Sequence, residues 1–173
     1  MLWDCCERLL DITVASLDDP PPLQFVTVGD PTQMYDCPMV AVAVAANGLF
    51  PSINIRARGP SLPAFPTMKT STTMATFAIW VITTDCWPTQ TAEAGVPPAE
   101  AINAASLAVL TDQDDTWLGL RDNARNGTMF AGLMGGNDCA EVGPPSTYFG
   151  PSGNVAGSIF YVTANVLRLP GAS

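Results

Sequence analysis

Histidine is absent from this chain of 173 residues, and lysine occurs once, at Lys69. Without an imidazole there is no Ser-His or Cys-His nucleophile pair and no ordinary proton shuttle near neutral pH, which excludes several enzyme classes at once. Charge of either sign is scarce, at 13% of residues, and its balance is acidic: seven Lys and Arg against sixteen Asp and Glu, a formal charge of -9. Proteins that wrap nucleic acid need clustered cations for phosphate contacts. The few cations here are scattered, so that role is excluded too.

Five cysteines, Cys5, Cys6, Cys37, Cys86 and Cys139, include no Cys-x-x-Cys pair. A structural zinc site would need at least three distant thiolates to converge, and small buried hydrophobes are the expected role instead. Cys37 and Cys86 flank strands and can meet across a sheet, although a reducing cytosol makes a disulfide there a late or incidental event. No stretch reaches the roughly 18 apolar residues of a spanning helix. The opening "MLWDCCERLLDI" carries Asp4, Glu7 and Asp11 where a signal peptide needs a basic end and an unbroken apolar run, so the expectation is a chain made in the cytoplasm.

Apolar residues make up 47% of the chain. With so little charge, the surface must be covered largely by Thr, Ser, Asn, Gly, Pro and small apolar groups. Such a surface suits a protein packed against copies of itself or against partners. The length is that of one domain, 1–173, large enough to bury a real core.

Residues 2 to 17 predict a helix with Trp3, Cys6, Leu10, Val14 and Leu17 on one face, stopped by Pro20, Pro21 and Pro22. "LQFVTVGDP" reads as a short strand ended by Gly29, Asp30 and Pro31. Met39 to Ala46 is apolar on both faces, as in a central strand covered twice, whereas Ser52 to Arg58 alternates, and "NGLFP" between them suggests an antiparallel pair. Residues 59–71, "GPSLPAFPTMKTS", are proline-rich and without period, which predicts an arm between strands. "TTMATFAIWVITTDCWP" is a long strand, again apolar on both faces, whose second face is expected to meet a neighbouring subunit.

After Pro97 and Pro98, "AEAINAASLAVL" favours a helix. Ile102, Ala105, Val109, Leu110, Trp117 and Leu120 share a stripe if it runs to about Arg125, with Asp112, Asp114 and Asp115 mainly on the wet side; a break at "TDQDD" with a second helix capped by Asp112 is the alternative. "GTMFAGLM", "CAEVG" and "GSIFYVTANVLRL" read as strands, with an extended loop at 143–156. The predicted fold is therefore α+β, an antiparallel sheet packed against two helices.

Chemistry is sparse. The carboxylates Asp18, Asp19, Asp112, Asp114 and Asp115 lack the glycine and distal glutamate of a calcium loop, and neither glycine-rich segment leads from strand into helix with a Gly-Lys-Ser/Thr signature. No metal, cofactor or catalytic residue is expected. The best enzyme candidates, Cys86 with Asp85 or Tyr161, have no recognisable base beside them.

The order of elements, namely an N-terminal helix, a first hairpin with a proline-rich arm, a long strand closing on "DCWP", the helix "AEAINAASLAVLTDQDDTWLGL" and a final hairpin, resembles the small neck proteins of long-tailed phages, most of all the tail terminators of actinobacterial phages. The resemblance spans nearly the whole chain but is one of order and texture, without a diagnostic motif, and the related stopper and adaptor remain alternatives. It implies a structural virion protein at the head-tail junction, a homohexameric ring that caps the tail tube and meets the head connector. Such a ring closes head to tail, and an acidic lumen repels phosphates so that DNA passes without specific binding. The implied contacts are Arg56, Arg58, Leu62, Phe65 and Lys69 in and beside the arm, and Tyr148 and Phe149 in the loop. A small enzyme or ligand-binding domain and a non-phage oligomer are the opposing readings.

Overall fold

A computed structural model describes residues 2–28, 37–44, 74–90, 95–133, 140–143, 147–152 and 154–167. The elements in chain order are α1 (Leu2–Ser16), β1 (Leu23–Val28), β2 (Met39–Val44), β3 (Met74–Cys86), α2 (Ala99–Arg125), β4 (Ala140–Val142), β5 (Thr147–Ser152) and β6 (Val155–Leu167). The architecture is α+β, with both helices packed against one sheet of six strands in the order β1-β2-β3-β6-β4, β5 also pairing with β6. The sheet is mixed rather than wholly antiparallel. β1 runs parallel to β2, from Leu23 opposite Met39 to Val28 opposite Val44, while every other pair is antiparallel.

Strand alternation fixes the two faces. Val42 and Val44 of β2, Ile79 and Val81 of β3 and Phe160 and Val162 of β6 lie in register on the face that receives Cys5, Cys6, Leu9 and Ile12 of α1 and Leu120 of α2. The opposite face carries Met39, Ala41, Ala43, Trp80, Ile82 and Ile159, none more than 2% exposed, with Phe25, Cys37 and Tyr161 packed against them. Trp80 and Tyr161 are register partners and meet edge to face, their ring centroids 5.7 Å apart. This second apolar face is thus already buried within one copy, and no neighbouring subunit is needed to cover it there.

The long pairing of β3 with β6 runs over 13 residues of each strand, Met74 opposite Leu167 through Cys86 opposite Val155. Gly157 sits at its tightest point, where a Cβ would collide with the Thr83 carbonyl oxygen and lie 2.9 Å from Thr84 Cα. α1 and α2 also approach closely. A Cβ on Gly119 would stand 2.7 Å from Ser16 Cβ, so the crossing is set by a residue without a side chain.

Three further expectations from the sequence are corrected. The buried residues of α1 are Cys5, Cys6, Leu9, Ile12 and Thr13. Its inward face is therefore turned by about one residue, or 100°, from the predicted one, and Trp3 is 47% exposed with its indole N–H donating to Glu7 at 2.7 Å. "GTMFAGLM" is not a strand. The chain folds back on α2, with the amides of Thr128 and Met129 donating to the Asn123 carbonyl at 3.0 and 3.2 Å, and with Gly127 and Gly132 at positive φ. Those turns bury Met129 and Phe130 completely beneath the helices. Finally, the expected loop at 143–156 contains β5, which pairs with the start of β6 through an irregular register between Phe149 and Ser152.

The strand expected at 52–58 and the arm expected at 59–71 lie outside the described residues.

Candidate interaction face on the second helix

α2 is one uninterrupted helix of 27 residues, without a break at "TDQDD". Its buried positions are Val109, Gln113, Thr116 and Leu120, at alternating spacings of four and three, so this stripe faces the sheet. Half of the stripe is polar. Gln113 Oε1 and Thr116 Oγ1, with Ser158 Oγ on the helix-facing side of β6, are buried and find no hydrogen-bond partner among the described residues. An unmade hydrogen bond of this kind costs about 1–3 kcal/mol.

On the other side of α2 the helix is apolar again. Leu107, Leu110 and Leu118 are 65%, 47% and 43% exposed. At 100° per residue they fall within one outward stripe, opposite the sheet, with exposed Asp114 among them. The predicted single apolar stripe is corrected accordingly, because Leu110 belongs to the outer face.

One flank of α2 is acidic. Asp112, expected on the wet side, is half-buried, and its carboxyl is pushed up to about 6 by loss of water, with the fields of Asp85, Asp115, Asp19 and Asp18 adding to the rise. Those carboxylates come from α2 itself, from the end of β3 and from the segment after α1. Burial alone also raises Asp85. Asp85, Asp115, Asp19 and Asp18 all act on Asp112 in the same direction, so among the described residues this flank gathers like charge. Among the described residues no set of three or more Cys, Asp or Glu side chains is arranged to hold a metal ion.

The enzyme candidates are not brought together. Asp85 and Cys86 are consecutive in β3 and so point to opposite faces. Cys86 is bonded to Cys37, whose Cα lies 4.8 Å away and directly across the β2–β3 register extended by two residues. The two cysteines predicted to be able to meet across the sheet do so, and Asn154 Nδ2 donates to Cys37 Sγ at 3.6 Å. Cys5 and Cys6 are buried within the core and take no part in a disulfide, and burial, with Cys5 and Glu7 adding, pushes the Cys6 thiol up to about 12, far from the range of a nucleophile. Tyr161, instead of facing a catalytic partner, packs against Trp80. A shallow open hollow of about 400 Å³ between β4 and β6 is lined by Val142, Gly143, Tyr161 and Thr163, without an acid, a base or a cysteine.

Of the residues expected to make contacts, Arg56, Arg58, Leu62, Phe65 and Lys69 lie outside the described residues, and Tyr148 and Phe149 belong to β5. Sequence reasoning missed the outer leucines. Their i, i+3, i+11 spacing was present in the chain but was overshadowed by the broader apolar stripe drawn through Leu110. No described helix is long and apolar enough to cross a membrane. Compared with known protein families and with curated proteins, the chain finds a match in neither.

Proposed function

We propose that this chain is a structural subunit that assembles into a ring, and specifically a tail terminator at the head-tail junction of a long-tailed phage. The observation that carries the assembly reading is the leucine stripe Leu107, Leu110 and Leu118, left uncovered on the outside of α2 in a chain short of surface charge. Soluble monomers keep contiguous apolar surface small, and a stripe of this kind marks a contact. The terminator reading adds the resemblance in element order.

The Cys37–Cys86 disulfide also fits a virion protein. Disulfides persist in oxidising surroundings, virion surfaces among them, which is where a subunit made in the host cytoplasm would end. On this reading the partners are further copies of the chain, six to a ring, the major tail tube protein, and the head connector or stopper. DNA passes the acidic lumen without being gripped. No catalytic step is assigned.

The test is the native mass of the purified protein, alone and with a tail tube protein, by light scattering with negative-stain imaging. The expected result is a ring of about six copies of the 18.2 kDa chain, formed alone or on the tube. A monomer that ignores the tube overturns the proposal.

A further inference from the structure

The exposed side of α2 is ordered along the helix as well as around it. At 100° per residue, Glu100, Leu107, Thr111, Asp114, Leu118 and Arg125 all fall within about 50° of the direction opposite the buried stripe, and all six are exposed. Thr111, Asp114 and Leu118 follow Leu107 at spacings of four, three and four, while Glu100 and Arg125 stand seven residues beyond either leucine. Alternation of three and four is the spacing of a seam between two helices.

The seam is symmetric about its middle. Leu107 with Leu118, Thr111 with Asp114, and Glu100 with Arg125 are three pairs centred on one point, midway between Asp112 and Gln113. The members of each pair complement one another: leucine with leucine, a hydroxyl donor with a carboxylate acceptor, and the acidic residue of the first turn with the basic residue of the last. Such a face matches a copy of itself turned end for end. Antiparallel helices also bring each positive N-terminus to a negative C-terminus. A parallel pair would instead set Glu100 against Glu100, Asp114 against Asp114 and Arg125 against Arg125.

We propose that the free chain pairs with a second copy of itself through the outer faces of α2, antiparallel and centred between residues 112 and 113. Leu107 of each copy lies on Leu118 of the other, Glu100 faces Arg125, and the Thr111 hydroxyl donates to the Asp114 carboxylate. The two copies of Leu110 flank the seam on one side, about 8 Å apart along it. On the other side the Asp115 carboxylates of the two copies repel each other. With a single helix face from each copy, the contact is at the small end of protein interfaces, and the dimer is weak and concentration-dependent. The pairing is two-fold and does not close a ring, which needs a head-to-tail contact. It therefore goes beyond the ring reading and describes the chain away from the tail tube.

The test is disulfide trapping in a Cys139→Ser background, which leaves Cys5, Cys6 and the Cys37–Cys86 bridge. Leu107→Cys and Leu118→Cys are made in separate chains. Under mild oxidation a mixture of the two is expected to give a linked dimer and neither variant alone to do so, because like positions lie about 16 Å apart along the seam. A link formed by either variant alone, or none in the mixture, overturns the inference.

Sedimentation of the wild type is expected to show monomer passing to dimer as concentration rises. Glu100→Arg and Arg125→Glu should each weaken the dimer about fivefold, since each makes two symmetry-related contacts repulsive. Combined in one chain they should restore it, whereas losses that add overturn the pairing. A chain that is monomeric alone yet forms a ring on the tube, or that forms a ring of six alone without the 107–118 link, refutes this inference and leaves the ring standing. A dimer with the link that ignores the tube supports the inference against the ring, and a monomer that ignores the tube removes both.

Discussion

Asp112→Asn isolates a charge that the fold raises well above its ordinary carboxylate range. The folded carboxyl titrates at about 6 against an ordinary value of 3.8, raised first by loss of water and then by Asp85, Asp115, Asp19 and Asp18. A rise of about two units corresponds to about 3 kcal/mol at full value, and because the side chain is half exposed, solvent screening reduces this to about 1–2 kcal/mol. Below about pH 4 the carboxyl is protonated in both folded and unfolded chains, so it contributes no difference. Between about pH 4 and 6 the unfolded chain gives up its proton while the folded one keeps it, and stability falls as pH rises. Above about pH 6 the folded form is ionised and the whole penalty is present.

The isosteric amide removes that penalty. Urea unfolding of wild type and variant at pH 3.5, 5 and 7.5 should therefore show an advantage near zero, then intermediate, then about 1–2 kcal/mol for the variant. At pH 7.5 that amounts to a rise in Tm of about 2–8 °C for a chain of this size. An equal difference at all three pH values, or a variant less stable at pH 7.5, refutes the account of like charge gathered beside α2.

Two further substitutions probe the interior. Thr116→Val replaces a hydroxyl that is buried without a partner among the described residues by a methyl of the same shape, and is expected to raise stability by about 1 kcal/mol in urea titration; a loss would show that the hydroxyl is hydrogen-bonded. Gly157→Ala forces a Cβ onto the Thr83 carbonyl, a backbone atom that cannot swing away. It is expected to cost about 3 kcal/mol, and a variant as stable as wild type would mean that β3 and β6 are not so closely apposed there.

Much of the sheet was legible because its signals are local. β2 and β3 are apolar on both faces, and burial on both sides is what each shows at Met39–Val44 and at Ile79–Ile82. The 128–133 segment misled for the same reason. Its Met, Phe and Leu have strand composition, while the glycines at positive φ and the amides returning to Asn123 depend on where α2 ends. Asp112 shows a different limit. Helical period places it on a flank, but its neighbours Asp18, Asp19 and Asp85 come from elements whose packing no local pattern contains. Cys37 and Cys86 likewise face each other only once the β2–β3 register is known.

The partnership of β3 with β6 also orders events during synthesis. Residues 74–86 leave the ribosome early and can pair with β2, but the strand that occupies their other edge is 155–167, made only after α2 and the segments that follow it. Throughout that interval one edge of a strand apolar on both faces stays open, the state most prone to pairing with the wrong chain. A nascent chain stalled before residue 155 is therefore the species that a chaperone has most reason to hold, and slow translation across α2 would lengthen its exposure.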